Sequence, residues 1–151
     1  IAGTGPEAPA LRARAQASSA ADRIMFFDDV DDDEKTFLLA GSAAYVLPSK
    51  PRPEFVETFG IALVEKMLAG GGPVITTATG GIPEAIGSHA TIVPVGDPMS
   101  IAQALDDANL RTSTDQRSTL AAAVRAHAMQ FDRVNVFDRL FDRLAGAEVA
   151  A

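Results

Sequence analysis

Apolar positions along this chain alternate between short runs and helical stripes. Runs at 23–27 (RIMFF), 43–47 (AAYVL), 73–77 (PVITT) and 90–95 (ATIVPV) read as strands. Between and after them come stripes at helical spacing. The first covers 7–20, with Leu11 among alanines, and the second runs from about 31 to 40 with Phe37 and Leu38 inward. Others cover 59–69, 100–108 with Ile101 and Leu105 inward, 114–128, and 134–144, where Val134, Phe137, Leu140, Phe141 and Leu144 share one face. The punctuation agrees. Gly3-Thr4-Gly5-Pro6 is a turn with Pro6 at a first helical position, and Asp31 is an N-cap before Asp32, Asp33 and Glu34. Gly41 stops a helix, 48–56 (PSKPRPEFV) is a proline-rich loop, and Gly96-Asp97-Pro98 is a turn. Thr79-Gly80-Gly81-Ile82-Pro83-Glu84 turns into a short helix. Strand alternating with helix predicts an α/β domain with a mostly parallel sheet, Rossmann-like and three-layered, with 73–77 as an interior strand. Ligands of such sheets bind at the carboxyl ends of the strands, where loops 3–6, 28–30, 48–58 and 77–82 fall.

One stripe stands apart. Residues 59–69 (FGIALVEKMLA) are apolar except for Glu65 and Lys66, so this helix is expected to be buried on nearly every side. Gly70, Gly71 and Gly72 end it and Pro73 prevents restart. A carboxylate inside such a helix costs several kcal/mol unless it is paired or hydrogen-bonded. Glu57 lies eight residues before Glu65, which at roughly 100° per residue is about 80° round a helix. Both carboxylates therefore point to one side. Thr58, Phe59 and Gly60 mark a helix start whose free N–H groups suit a phosphate. Two acceptors for hydroxyls beside an anion cradle describe a site for a sugar nucleotide. The bland alternative makes Glu57 a surface cap and gives Glu65 a local partner.

Composition narrows the classes. The 151 residues are 47% hydrophobic and 22% charged, which suits one globular domain with a real core. A net charge of −7 argues against nucleic acid as the main partner. Without cysteine, disulfide and thiolate-metal readings vanish. No apolar run approaches the ~18 residues of a membrane span. The chain opens on Ile1-Ala2-Gly3, without an initiator methionine and without a basic-then-apolar leader, and reads as an excerpt that starts inside a strand. The expectations are a cytoplasmic protein and a missing first strand–helix unit. The Ala- and Arg-rich composition suggests a bacterial source.

Rival chemistries are weaker. Gly3-x-Gly5-x-x-Ala8 fits the dinucleotide fingerprint, and Asp28 and Asp29 follow the next run, where a ribose-binding acid sits. That NAD-binding reading leaves ETFGIALVE unexplained. The acidic run 28–34 lacks the Gly at position six and Glu at twelve of a calcium loop: counted from Asp28, these are Asp33 and Leu39. His89 and His127 have no convincing Ser or Asp partner for a nucleophile triad, and His127 is expected to face solvent. Ser49 lacks a G-x-S-x-G context.

ETFGIALVE (57–65), followed by EKMLAGGGPVITTATGGIPEAI, resembles the Glu-x7-Glu signature of family 4 retaining glycosyltransferases, which have the GT-B fold. The resemblance covers 1 to about 107 and implies the C-terminal, donor-binding half of such an enzyme. It implies a nucleotide-sugar-binding domain over 1–130, and over 131–151 a final helix that reaches toward an N-terminal acceptor domain outside this chain. The donor implied is a nucleoside diphosphate sugar, with no cofactor and no metal: the Asp-x-Asp pairs at 29–33 are those of metal-dependent enzymes of the other major fold. By the same resemblance, Glu57 is the catalytic-site carboxylate beside the donor sugar and diphosphate. Glu65 accepts from ribose hydroxyls. N–H groups at Phe59, Gly60 and Ile61, after Thr58, face phosphate or sugar. The Val30 backbone and Lys35 sit where the base is held. Lys50 and Arg52 are candidates to help at the diphosphate, whose usual Arg and Lys are not in this chain. The Glu-Lys-Met and triple-glycine variant resembles antibiotic-pathway members.

Overall fold

A computed structural model describes residues 1–111 and 114–148, with the side chains of 109–118 and 146–151 excepted. The chain divides into two compact units, Ile1–Thr36 and Phe37–Ala151.

In the first unit, helix α1 (Ala8–Gln16) starts after a turn closed by the Ala8 N–H on the Gly5 carbonyl (3.0 Å). Pro6 therefore lies in the turn, and Pro9 is the proline of the first helical turn. The expected continuation to Ala20 does not form, because α1 buries no residue and its alanines give it nothing to pack. A 3₁₀ turn follows at Ala21–Arg23. The expected strand at 23–27 shrinks to one parallel bridge between Ala2 and Phe27. A strand needs a ladder, and this one has a single short neighbour in its unit. Asp31 is the N-cap foreseen: its Oδ1 accepts the Glu34 N–H at 2.8 Å and opens α2 (Asp32–Gly41).

The second unit holds the sheet. Strands β1 (Tyr45–Leu47), β2 (Val74–Thr76) and β3 (Ala90–Ile92) run parallel in the order β1-β2-β3. β2 is central and fully buried, as its unbroken apolar run requires. Helices α3 (Ile61–Ala69), α4 (Ile82–Ile86), α5 (Pro98–Arg111), α6 (Thr114–Met129) and α7 (Arg133–Glu148) complete it. The expected α/β parallel architecture is the one observed. Leu63, Val64 and Met67 of α3 meet Val74, Ile82, Ala85, Ile86 and Ala128 in the core. Each of these side chains larger than alanine contributes about 1.5–3 kcal/mol by leaving water. Two inward assignments on α2 fail: Phe37 is 80% exposed and Leu38 is exposed, and Leu39 is the buried position, one residue further round. Asp97 caps α5 with its carboxylate, which accepts from Met99 N–H, Ser100 N–H and the Ser100 hydroxyl. The Ser100 hydrogen bonds hold that carboxyl below its ordinary range.

The triple glycine does more than stop α3. The Gly72 N–H donates to the Ser42 carbonyl at 2.7 Å, and a Cβ at Gly72 would lie 1.8 Å from the Ala43 carbonyl oxygen. No larger residue fits this approach. Beside it Lys66 is buried, 1% exposed, with its ammonium donating to the carbonyls of Leu39 (2.6 Å) and Gly70 and to the Ser42 hydroxyl (2.9 Å). Those acceptors close the C-terminal ends of α2 and α3, whose last carbonyls have no helical partner. Burial pushes the Lys66 ammonium down to about 8.

α7 carries the apolar face read from the sequence, and it is open: Val134, Phe137, Leu140, Phe141 and Leu144 are all exposed, Phe141 by 63%. Among the described residues no helix is long and apolar enough to cross a membrane.

Candidate functional site

At the carboxyl edge of the sheet the loops after β1 and β2 interlock. The hydroxyls of Thr76 and Thr77 donate to the carbonyls of Leu47 (2.7 Å) and Ser49 (2.6 Å), so the two strand ends leave the sheet together. Residues 52–55 close a tight turn, with Arg52 and Phe55 exchanging both backbone hydrogen bonds. The chain then lays Glu57 and Thr58 on the glycine pair. The Gly81 N–H donates to the Glu57 carbonyl at 3.0 Å. A Cβ at Gly80 would lie 1.9 Å from the Glu57 carbonyl oxygen, and one at Gly81 1.9 Å from that of Thr58. Thr79-Gly80-Gly81 is thus the seat of the Glu57–Gly60 turn. The Thr79 hydroxyl oxygen is buried there without a hydrogen-bond partner.

The turn places five expected site residues together. The Glu57 carboxylate is half-buried, and its Oε1 accepts the N–H of Gly60 at 3.0 Å and of Phe59 at 3.4 Å. Gly60 has φ +88°, which only glycine adopts without strain, and its carbonyl accepts the Leu63 N–H to start α3. Thr58 is exposed, and Ile61 at 70% is a large apolar side chain held in the open. Glu57 is therefore a cap, and it occupies two of the three N–H groups assigned to an anion. A carboxylate held by such N–H groups marks a place where the backbone favours negative charge.

Glu65 lies one turn along α3, on the face it shares with Ile61, and is half-buried. It sits close enough to Tyr45 of β1 that burial of the phenol, and then the Glu65 charge, push the Tyr45 hydroxyl above its ordinary value. Val30 and Lys35 lie in the first unit, both half-buried, with the Lys35 ammonium 3.1 Å from Asp32.

Two features escaped the sequence reading. Lys66 stood beside Glu65 in the same apolar run, so the question asked of one charge applied to both. His127 is not solvent-facing: it is half-buried, its Nε2 is 3.0 Å from the Ala85 carbonyl, and its Nδ1 is 2.8 Å from Gln130 Nε2. Of the alanines around it, Ala122, Ala123 and Ala126 are exposed, and Ala128 is the one that enters the core beside α4. A cavity of about 690 Å³ lies beside it, walled by Phe59, Glu84, Phe131 and the α7 residues Arg139, Leu140 and Arg143.

The parallel sheet with helices around it is an architecture of the GT-B type, and comparison with known proteins agrees. The Glycosyl transferases group 1 family matches residues 1–125, and the chain belongs to that family. It is 30% identical over 126 residues to the 2-deoxystreptamine N-acetyl-D-glucosaminyltransferase of Streptomyces fradiae, covering 82% of this chain and 28% of that protein. Its fold is similar to the crystal structure of AviGT4, a glycosyltransferase involved in avilamycin A biosynthesis, with a TM-score of 0.57 and 18% identity over 93% of this chain and 50% of that one. The chain thus spans about a quarter of the curated relative and half of the solved structure. The family match does not favour the dinucleotide-binding reading of Gly3 and Gly5.

Proposed function

We propose that this chain is the donor-binding, C-terminal half of a family 4 retaining glycosyltransferase, with ETFGIALVE as its Glu-x7-Glu element. The observation that carries the reading is the Glu57–Gly60 turn, which gathers N–H groups at the carboxyl edge of the sheet one helical turn from Glu65. Glu65 accepts hydrogen bonds from the ribose hydroxyls of a nucleoside diphosphate sugar. The N–H groups of Phe59, Gly60 and Ile61 hold a phosphate oxygen, and two of them must first leave the Glu57 carboxylate. Carboxylate and phosphate repel, so donor binding turns Glu57 toward the sugar, where it orients hydroxyls next to the anomeric carbon. In the first unit the Val30 backbone and Lys35 hold the base. The rest of the protein, an N-terminal domain, presents the acceptor, and residues 131–148 reach toward it. Cations that stabilise the departing diphosphate come from outside this chain, with Lys50 and Arg52 in support. No metal or cofactor takes part. The activity of the Streptomyces fradiae relative makes nucleoside diphosphate conjugates of N-acetylglucosamine the first donors to test. The protein is bacterial and works in the cytoplasm.

Calorimetry on the full-length protein tests this with UDP, GDP, their sugar conjugates and NAD. Glu65→Ala is expected to abolish nucleoside diphosphate binding. Glu57→Ala is expected to keep the bare diphosphate and lose the preference for the sugar conjugate. Unchanged UDP or GDP affinity in Glu65→Ala, or tight NAD binding by the unaltered protein, refutes the assignment.

A further inference from the structure

We infer that Phe131 and His127, at the turn that ends α6, are positioning residues for the Phe59–Gly60 anion-binding turn. The inference rests on the donor-site reading above. Gly60 has φ +88° and no side chain, so backbone preference alone does not fix where the N–H groups of Phe59 and Gly60 point. The Glu57 carboxylate accepts from both, and once it leaves them something else beside the glycine must hold them. The Phe59 ring meets Phe131 edge-to-face, centroids 5.0 Å apart and planes at 74°. Phe131 in turn meets His127 at 5.6 Å and 78°. Edge-to-face pairs of this geometry are directional, unlike ordinary apolar burial.

His127 anchors the other end of this chain of rings. A carbonyl can only accept, so His127 Nε2 carries the proton and donates to Ala85 of α4, leaving Nδ1 to accept from the Gln130 amide. The ring fits because Gly87 has no Cβ, which would lie 2.8 Å from His127 Cε1. α4 itself follows Gly80 and Gly81, the floor on which Glu57 and Thr58 rest. The end of α6 therefore holds the anion-binding turn twice. Phe131 presses on the ring of Phe59 from one side, and His127 fixes the helix that carries the floor. In this role each acts through Phe59 or α4.

The test separates phosphate recognition from recognition of the nucleoside. In the full-length protein, UDP and GDP are each titrated against uridine and guanosine. Phe131→Leu keeps the apolar volume and loses the ring edge. It is expected to weaken diphosphate binding three- to tenfold, about the worth of an aromatic pair, while the nucleoside affinity stays unchanged. Phe131→Tyr is expected to restore it, and His127→Asn to act in the same direction as Phe131→Leu. If both Phe131→Leu and His127→Asn keep the unaltered ratio of diphosphate to nucleoside affinity, the inference is overturned. Equal loss for diphosphate and nucleoside overturns it as well, since that is what general damage produces. If the folded, unaltered protein binds neither diphosphate, the donor-site reading itself fails and takes this inference with it.

Discussion

Helices α3 and α7 both carry apolar residues at helical spacing, and they end in opposite situations. α3 buries Leu63, Val64, Lys66 and Met67, and leaves only its first residue, Ile61, fully in the open. α7 leaves Val134, Val136, Phe137, Leu140, Phe141 and Leu144 exposed. α3 is apolar round most of its circumference and has a sheet on one side and α6 on another. α7 is apolar on one face alone, with Asp138, Arg139, Asp142 and Arg143 between. An all-round apolar helix has one stable place, the interior. An amphipathic helix has one stable partner, and a contiguous apolar face of this size in the open marks an interaction surface.

The largest expected effect sharpens that contrast. Leu63→Ala removes a fully buried side chain and is expected to cost about 2–5 kcal/mol in denaturant unfolding of this domain, against about 0.5 kcal/mol or less for Leu140→Ala. Equal costs break the comparison, because α7 would then be packed as tightly as α3. Next comes the charge inside α3. Lys66→Met takes the ammonium donor from the Gly70 carbonyl and one of the donors from Leu39, which keeps the Ser42 hydroxyl, and is expected to cost about 2–4 kcal/mol by the same measurement. An unchanged midpoint means that water replaces the ammonium and the site is open.

The same lysine gives a pH signature. Its folded value of about 8 lies below the ordinary 10.5 of the unfolded chain. Between these values the unfolded chain holds a proton that the folded one has released, so the Lys66 contribution to stability rises with pH across that window and is lost below about 8. Tyr45, whose hydroxyl is pushed up, favours the fold at the lower pH and loses that effect only above its ordinary range. The difference between unaltered protein and Lys66→Met isolates the lysine: it is expected to shift in favour of the unaltered protein from pH 8 to 10, and a flat difference refutes the burial argument. The smallest effect belongs to the open face. Phe141→Ser is expected to change the unfolding free energy by no more than about 0.5 kcal/mol, and a loss of several kcal/mol would show that the face is covered within this domain.

The parallel sheet, the interior β2 and the turn at Glu57 were legible because periodicity, glycines and the ETFGIALVE spacing each carry a local signal. Phe37 was misread because a ten-residue helix such as α2 leaves its inward face to tertiary packing, which chose Leu39. The strand at 23–27 was misread because a run of apolar residues says nothing about whether neighbours exist to pair with it. Lys66 and His127 were overlooked for a shared reason. Their partners are mainly backbone carbonyls distant in sequence, at Leu39 and Ala85, and a carbonyl leaves no mark in a string of residue types.

The seating of Glu57 and Thr58 on Gly80 and Gly81 has a consequence for engineering. The two loops form one mechanical part with a shared surface, so an exchange has to take them as a pair. A chimaera that imports the loop after β1 from a relative with another sugar preference, and keeps the native loop after β2, asks a foreign backbone to rest on a seat shaped for this one. Transplanting 48–60 together with 77–82 keeps the fit between loop and seat.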